Sequence, residues 1–136
     1  MIGEFIIYKH LPIKNDKTVH LTYPHYDYRF TCPFRKNKCI NFFSEFKPEK
    51  VLIDGFRRFG RYEELPDTLL AKKDLKSPEN TFLAGKCKMV LSMKCTIEKI
   101  SDKVCRVKLD KYKVYLYFSK LSPDISLIDI KRNTKI

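Results

Sequence analysis

Between positions 87 and 97 the chain alternates strictly. Cys87, Met89, Leu91, Met93, Cys95 and Ile97 share one phase, with Lys88, Val90, Ser92, Lys94, Thr96 and Glu98 between them. A period of two marks a strand with one buried and one solvated face. Ser101-Asp102-Lys103 predicts a turn. Cys105, Val107 and Leu109 then alternate with Arg106 and Lys108. Asp110-Lys111 predicts a second turn. After it Tyr112, Val114, Leu116 and Phe118 alternate with Lys113, Tyr115 and Tyr117. Residues 81–136 therefore predict a three-stranded antiparallel meander, and residues 125–130 offer a fourth strand.

The first third of the chain, residues 1–46, is also strand-like. Residues 4–9 form a β-prone run that stops near Pro12, and residues 18–23 form another after the turn at Asn15-Asp16-Lys17. Tyr26, Tyr28, Phe30 and Cys32 share one phase of the next stretch, opposite Asp27, Arg29 and Thr31. Ile40, Phe42, Phe43 and Phe46 return to the core. Residues 47–80 carry the helical signals. Pro48 suits a first helical position, and Glu49 suits the first turn. Val51, Leu52, Phe56 and Phe59 fall on one side at helical spacing, with Arg57, Arg58 and Arg61 largely away from it. One main helix is expected around residues 48–62. Gly55 inside it costs about 1 kcal/mol against alanine.

These elements predict a single domain over residues 1–136, of α+β class and β-rich: a small antiparallel barrel or strongly twisted sheet with one helix. Residues 85–121 resemble the opening meander of an OB-fold, including the S1 type of RNA-binding domain. A long first strand followed by shorter partners carries that resemblance over about a quarter of the chain. It is a likeness of fold alone and implies an OB-like barrel.

Charge narrows the class of partner. Lysine and arginine number 28 and aspartate and glutamate 16, a formal net charge of +12. Self-repulsion on that scale is relieved by a polyanion, of which nucleic acid is the commonest. Lysines number 21 and arginines 7. That balance suits point-charge contacts to phosphate more than bidentate reading of bases. Five cysteines, an odd number, point to free thiols in a reducing compartment, cytoplasm or nucleus. The amino terminus has no cationic segment before its apolar run and carries Glu4 within it, so no signal peptide is expected. No apolar run approaches the roughly 18 residues that span a bilayer.

Motifs for catalysis are sparse. Neither of the glycine-rich phosphate loops, G-x-G-x-x-G and G-x-x-x-x-G-K, occurs. His20, His25, Cys32 and Cys39 supply zinc-ligand types, but neither cysteine sits two to four residues from a second one, as zinc knuckles require. Cys87, Cys95 and Cys105 lie on apolar phases and read as small buried hydrophobes. Glu63, Glu64 and Asp67, followed by Asp74 and Lys76, resemble a nuclease motif in letters. The spacing is too short for the strand and turn that would bring the carboxylates together.

The most informative constellation is basic and aromatic. The polar phase of the meander holds Lys88, Lys94, Arg106, Lys108 and Lys113, with Lys86 and Lys111 at strand ends. Tyr115 and Tyr117 share that phase. Sheets that bind single strands combine cations for phosphates with exposed rings for bases. Arg57, Arg58 and Arg61, beside Phe56, Phe59 and Tyr62, form a second basic element. The expected function is non-catalytic binding of RNA or single-stranded DNA, without cofactor, within a larger nucleoprotein or polymerase assembly. The alternatives are an accessory factor, for instance viral, that docks an acidic protein through the aromatic amino-terminal region, and a small metal-dependent nuclease.

Overall fold

The computed structural model describes residues 2–12, 24–31, 38–64, 85–109 and 111–132. Their strands are β1 (Ile2–Pro12), β2 (His25–Thr31), β3 (Lys38–Ser44), β4 (Phe56–Glu64), β5 (Gly85–Lys99), β6 (Val104–Lys108), β7 (Val114–Lys120) and β8 (Ile125–Arg132). One short helix, α1 (Pro48–Val51), lies between β3 and β4. The strands close into a barrel in the order β1-β2-β3-β4-β8-β7-β6-β5. It is built from two four-stranded meanders, sealed where β1 pairs with β5 and where β4 pairs with β8. Every pairing is antiparallel, so β4 finishes at one end of the barrel and β5 begins at the other. The connecting residues 65–84, like the expected strand 18–23, lie outside the described residues.

Eight strands enclose a space that side chains can just fill. Phe5, Ile7, Tyr28, Phe30, Ile40, Phe42, Cys95, Ile97, Val107, Leu116, Phe118 and Ile128 fill it. Phe5 and Phe30, directly paired across β1 and β2, stack at 4.2 Å. Tyr28 and Phe42, paired across β2 and β3, stack at 4.6 Å. The expected phase of the second strand, Tyr26, Tyr28 and Phe30 inward, is present. All four strands of the carboxy-terminal meander are present too. An OB-fold closes with five strands; here eight close the ring.

The expected helix over residues 48–62 is replaced by a single helical turn and a strand. Pro48 and Glu49 begin α1 as anticipated, but it ends at Val51, and Gly55 adopts φ +86°. From Phe56 the chain is extended and paired with β8. The apolar residues at helical spacing therefore serve two different elements. Val51 and Leu52 are buried in the barrel core. Phe59 points outward and is 65% exposed.

β3 and β4 pair only through Lys38–Asn41 and Arg61–Glu64. Beyond that they separate, and the segment carrying α1 lies between their ends. The Tyr28 hydroxyl donates to the Phe46 carbonyl at 3.1 Å and so ties this segment to the barrel. Burial pushes the Tyr28 hydroxyl pKa up, with the negative charges of neighbouring groups adding to it.

β5 departs from strict alternation. Its register against β1 shifts between Ile7 and Tyr8, so Leu91 pairs with Ile7 and Met89 with Tyr8. The extra residue, Val90, forms a bulge. Leu91, Met93, Cys95 and Ile97 keep the expected inner phase. Met89 does not, and is 41% exposed. Cys87 pairs with His10 in the same shifted register.

Candidate functional site

The strand rhythm brings part of the expected basic face together. Pairing sets Thr96 beside Lys108, Lys108 beside Tyr115, and Tyr115 beside Lys131 across β5, β6, β7 and β8. The next row is Glu98, Arg106, Tyr117, Asp129 and Arg57, reaching β4. Side chains in such rows stand on one face of the sheet. Their phase is opposite to that of Cys105, Val107, Leu116 and Phe118, so they form the outer wall. Lys94 stands on the same phase of β5, exposed.

The rings on this wall are covered by cations rather than left open. The Arg106 guanidinium lies 4.7 Å from the Tyr115 centroid, and the Lys131 ammonium 5.4 Å from that of Tyr117. The two tyrosines meet edge to face at 6.4 Å. Tyr115 is only 8% exposed, whereas Tyr117 is half-buried. The two rings expected to be exposed are therefore one buried and one half-buried. The arginines are engaged by carboxylates. Arg57 Nε donates to Asp129 at 2.6 Å, and Arg106 Nε donates to Glu98 at 3.1 Å. Hydrogen bonds to Glu98 and Tyr117 raise the Arg106 pKa further. Among the described residues, Lys94, Lys108, Lys113 and Lys131 make no ion pair.

The remaining basic candidates scatter. Lys111 and Lys113 are exposed in the β6–β7 connection, with Lys111 5.8 Å from the Tyr112 ring. Arg61 is exposed on β4. Arg58 shares the inner phase of β4 but emerges where β3 and β4 separate, 5.0 Å from the Phe56 centroid. Lys86 and Lys88 belong to β5, and their side chains lie outside the described residues. A recess of about 260 Å³ opens at this end of the barrel, lined by Tyr26, Lys47, Pro48, Glu49, Val90, Leu91, Lys111 and Tyr112.

The zinc set His20, His25, Cys32 and Cys39 is not assembled. His20 and Cys32 lie outside the described residues. His25 starts β2, whereas Cys39 pairs with Thr31 at its far end. Six residues of strand separate those positions, about 20 Å, so His25 and Cys39 cannot share an ion. The acidic letters of the nuclease motif, from Glu63 to Asp74, fall on side chains outside the described residues.

A different cluster gathers around His25. His10 pairs directly with His25 across β1 and β2, and Asp27 stands two residues further along the same face. His10 Nδ1 lies 3.1 Å from His25 Nε2. The Asp27 carboxylate reaches His10 Nδ1 at 3.5 Å and His25 Nε2 at 3.4 Å. These groups point outward from the barrel yet are buried: His10 is 6% and His25 3% exposed. Burial alone would raise the Asp27 pKa. Hydrogen bonds to both imidazoles and the charges of His25 and Arg29 outweigh it and hold the carboxyl at about 2. Arg29 is itself buried and lies 5.1 Å from the Tyr8 ring centroid. The sequence reading passed over this cluster. Its signal was His25-x-Asp27, a same-face pair on a strand, but its partner His10 lies 15 residues earlier and just past the expected end of the first strand.

A scan against protein-family models finds no match to this chain, and neither does a search of the curated proteins. No helix among the described residues is long and apolar enough to cross a membrane.

Proposed function

We propose that the chain binds single-stranded nucleic acid, RNA or DNA, on the outer wall of β5, β6, β7 and β8, as a non-catalytic component of a larger nucleoprotein or polymerase assembly. One observation carries this reading. Lys94, Lys108 and Lys131 share one sheet face and make no ion pair among the described residues; Lys108 and Lys131 stand on either side of Tyr115, and the Lys131 ammonium lies 5.4 Å from the half-buried ring of Tyr117. Ammonium groups on a sheet can follow a phosphate backbone while a ring beside them receives a base. Arg57 and Arg106 contribute less, because Asp129 and Glu98 already neutralise them.

The test is the salt dependence of binding to labelled oligonucleotides without base preference. Log affinity falls against log salt with a slope of about −0.7 per phosphate contacted on a single strand. Three to five contacts give a slope of roughly −2 to −3.5. A flat response overturns the reading.

A second reading, a factor that docks a protein partner, is favoured by apolar side chains left at the surface. Phe43, Phe46 and Phe59 are each more than 40% exposed. A stoichiometric partner that stays bound after nuclease treatment of a native lysate supports it, with oligonucleotide binding then absent.

A further inference from the structure

We propose that His10, His25 and Asp27 form a binding site for a divalent transition-metal ion, zinc foremost, on the outer wall of β1 and β2. The site is separate from the Lys108, Tyr117 and Lys131 surface of the reading above, since β1 and β2 lie across the ring from β8 and β7.

Strand geometry makes the cluster. Residues directly paired across antiparallel strands, and residues two apart on one strand, put their side chains on the same face. His10, His25 and Asp27 meet both conditions. Three donors from two adjacent, hydrogen-bonded strands are thereby held on one face, as a preorganised metal site needs.

The spacing suits an ion. Asp27 Oδ2 lies 3.5 Å from His10 Nδ1 and Asp27 Oδ1 lies 3.4 Å from His25 Nε2, while the two nitrogens, hydrogen-bonded to each other, are 3.1 Å apart. Zinc binds nitrogen and carboxylate oxygen at about 2.0–2.2 Å, so the edges of its tetrahedral shell are about 3.3 Å long. The nitrogen–nitrogen separation fits such an edge, and one donor atom of each residue lies within 4.8 Å of the others. The three groups lie close enough for one ligand atom of each to reach a shared ion.

Donor chemistry selects the ion. Two imidazoles disfavour magnesium and calcium, which take oxygen ligands. Two imidazoles and one carboxylate suit zinc, and the same triad suits iron(II) with open positions. Burial of His10 and His25 excludes competing water, and Asp27 supplies the anionic ligand. In the shifted register of β5, Cys87 is the residue paired with His10 on its other side.

The experiment uses the full chain, stripped with a chelator under reducing conditions and titrated with zinc alone. One ion per chain by elemental analysis is expected, with a rise in thermal midpoint on zinc addition. His10→Gln and Asp27→Asn should each weaken zinc affinity at least tenfold. Because either variant can disturb folding, the wild-type chain supplies an independent reading. Zinc should shift the imidazole resonances of His10 and His25 together and leave the third histidine unmoved. Absence of stoichiometric uptake overturns the proposal. So does uptake unchanged in the folded variants, or unaccompanied by the imidazole shifts, since the ion would then sit at the thiols.

Discussion

The Arg106 guanidinium lies 4.7 Å from the centroid of the Tyr115 ring, outside the barrel, and that ring is buried. Lys108 and Lys131 flank the ring across β6 and β8. Side chains with long apolar stems thus form a second packed layer over the strands. Tyr115→Ala should therefore destabilise the fold by about 2 kcal/mol, the scale for uncovering a large buried side chain. Tyr117→Ala, at a half-buried position, should cost clearly less. Chemical denaturation of both variants checks the order. Equal and negligible losses would show that the rings do not form a packed layer.

Gly60 sits where β4 crosses between β3 and β8. A Cβ there would stand 2.6 Å from Ile40 Cγ2 and 2.8 Å from Ile128 Cδ1. The isoleucine methyls occupy the volume that the missing side chain leaves, so Gly60→Ala should overpack the core and cost about 1–3 kcal/mol. Removing the Ile128 Cδ1 methyl relieves half of the clash. The double variant Gly60→Ala/Ile128→Val should be more stable than the sum of the single losses predicts, by about 0.5 kcal/mol or more. Strict additivity in a denaturation cycle would contradict this account of the glycine.

Cys39, Cys95 and Cys105 are buried thiols that form no disulfide among the described residues. Their thiols should react slowly with an aromatic disulfide reagent in the native chain and rapidly in denaturant. Peptide mapping after brief native labelling should find these three unmodified. Rapid labelling of Cys95 and Cys105 would overturn the inner phase assigned to β5 and β6.

The carboxy-terminal meander was legible because each of its strands has one wet face, which imprints a period of two on residues such as Arg106 and Lys108. The helix expected over residues 48–62 shows where local pattern misleads. Val51, Leu52 and Phe56 are all core-facing, but they reach the core from a helical turn and from a strand. Only the pairing of Phe56–Arg61 with β8, some seventy residues later, separates the two. The bulge at Val90 is illegible for a related reason. Alternation continues in letters through Met89 and Cys87, while the register against β1 shifts. The histidine cluster depends on the pairing of β1 with β2, so no local spacing places His10 beside His25.

The basic wall makes a prediction that separates its residues by role. Lys108 and Lys131 stand on either side of Tyr115, make no ion pair among the described residues, and are exposed. If each contacts one phosphate, Lys108→Gln and Lys131→Gln should each flatten the log–log salt slope by about 0.7. Their effect should be independent of base sequence, because a point charge reads the backbone alone. Tyr117→Ala should leave the slope nearly unchanged and weaken binding by about 1–3 kcal/mol, as loss of one stacking platform does. Lys131 bears on both effects, because its ammonium lies 5.4 Å from the Tyr117 ring. An entering base would have to displace it, freeing the charge for phosphate. Lys131→Gln combined with Tyr117→Ala should therefore lose less than the two single losses added together, since each removes a group that the other rearranges. Arg57→Gln, whose cation is held by Asp129 at 2.6 Å, should alter the slope least. If Arg57 proves to dominate while Lys108 and Lys131 are silent, the contact surface lies along β4 rather than on β6, β7 and β8.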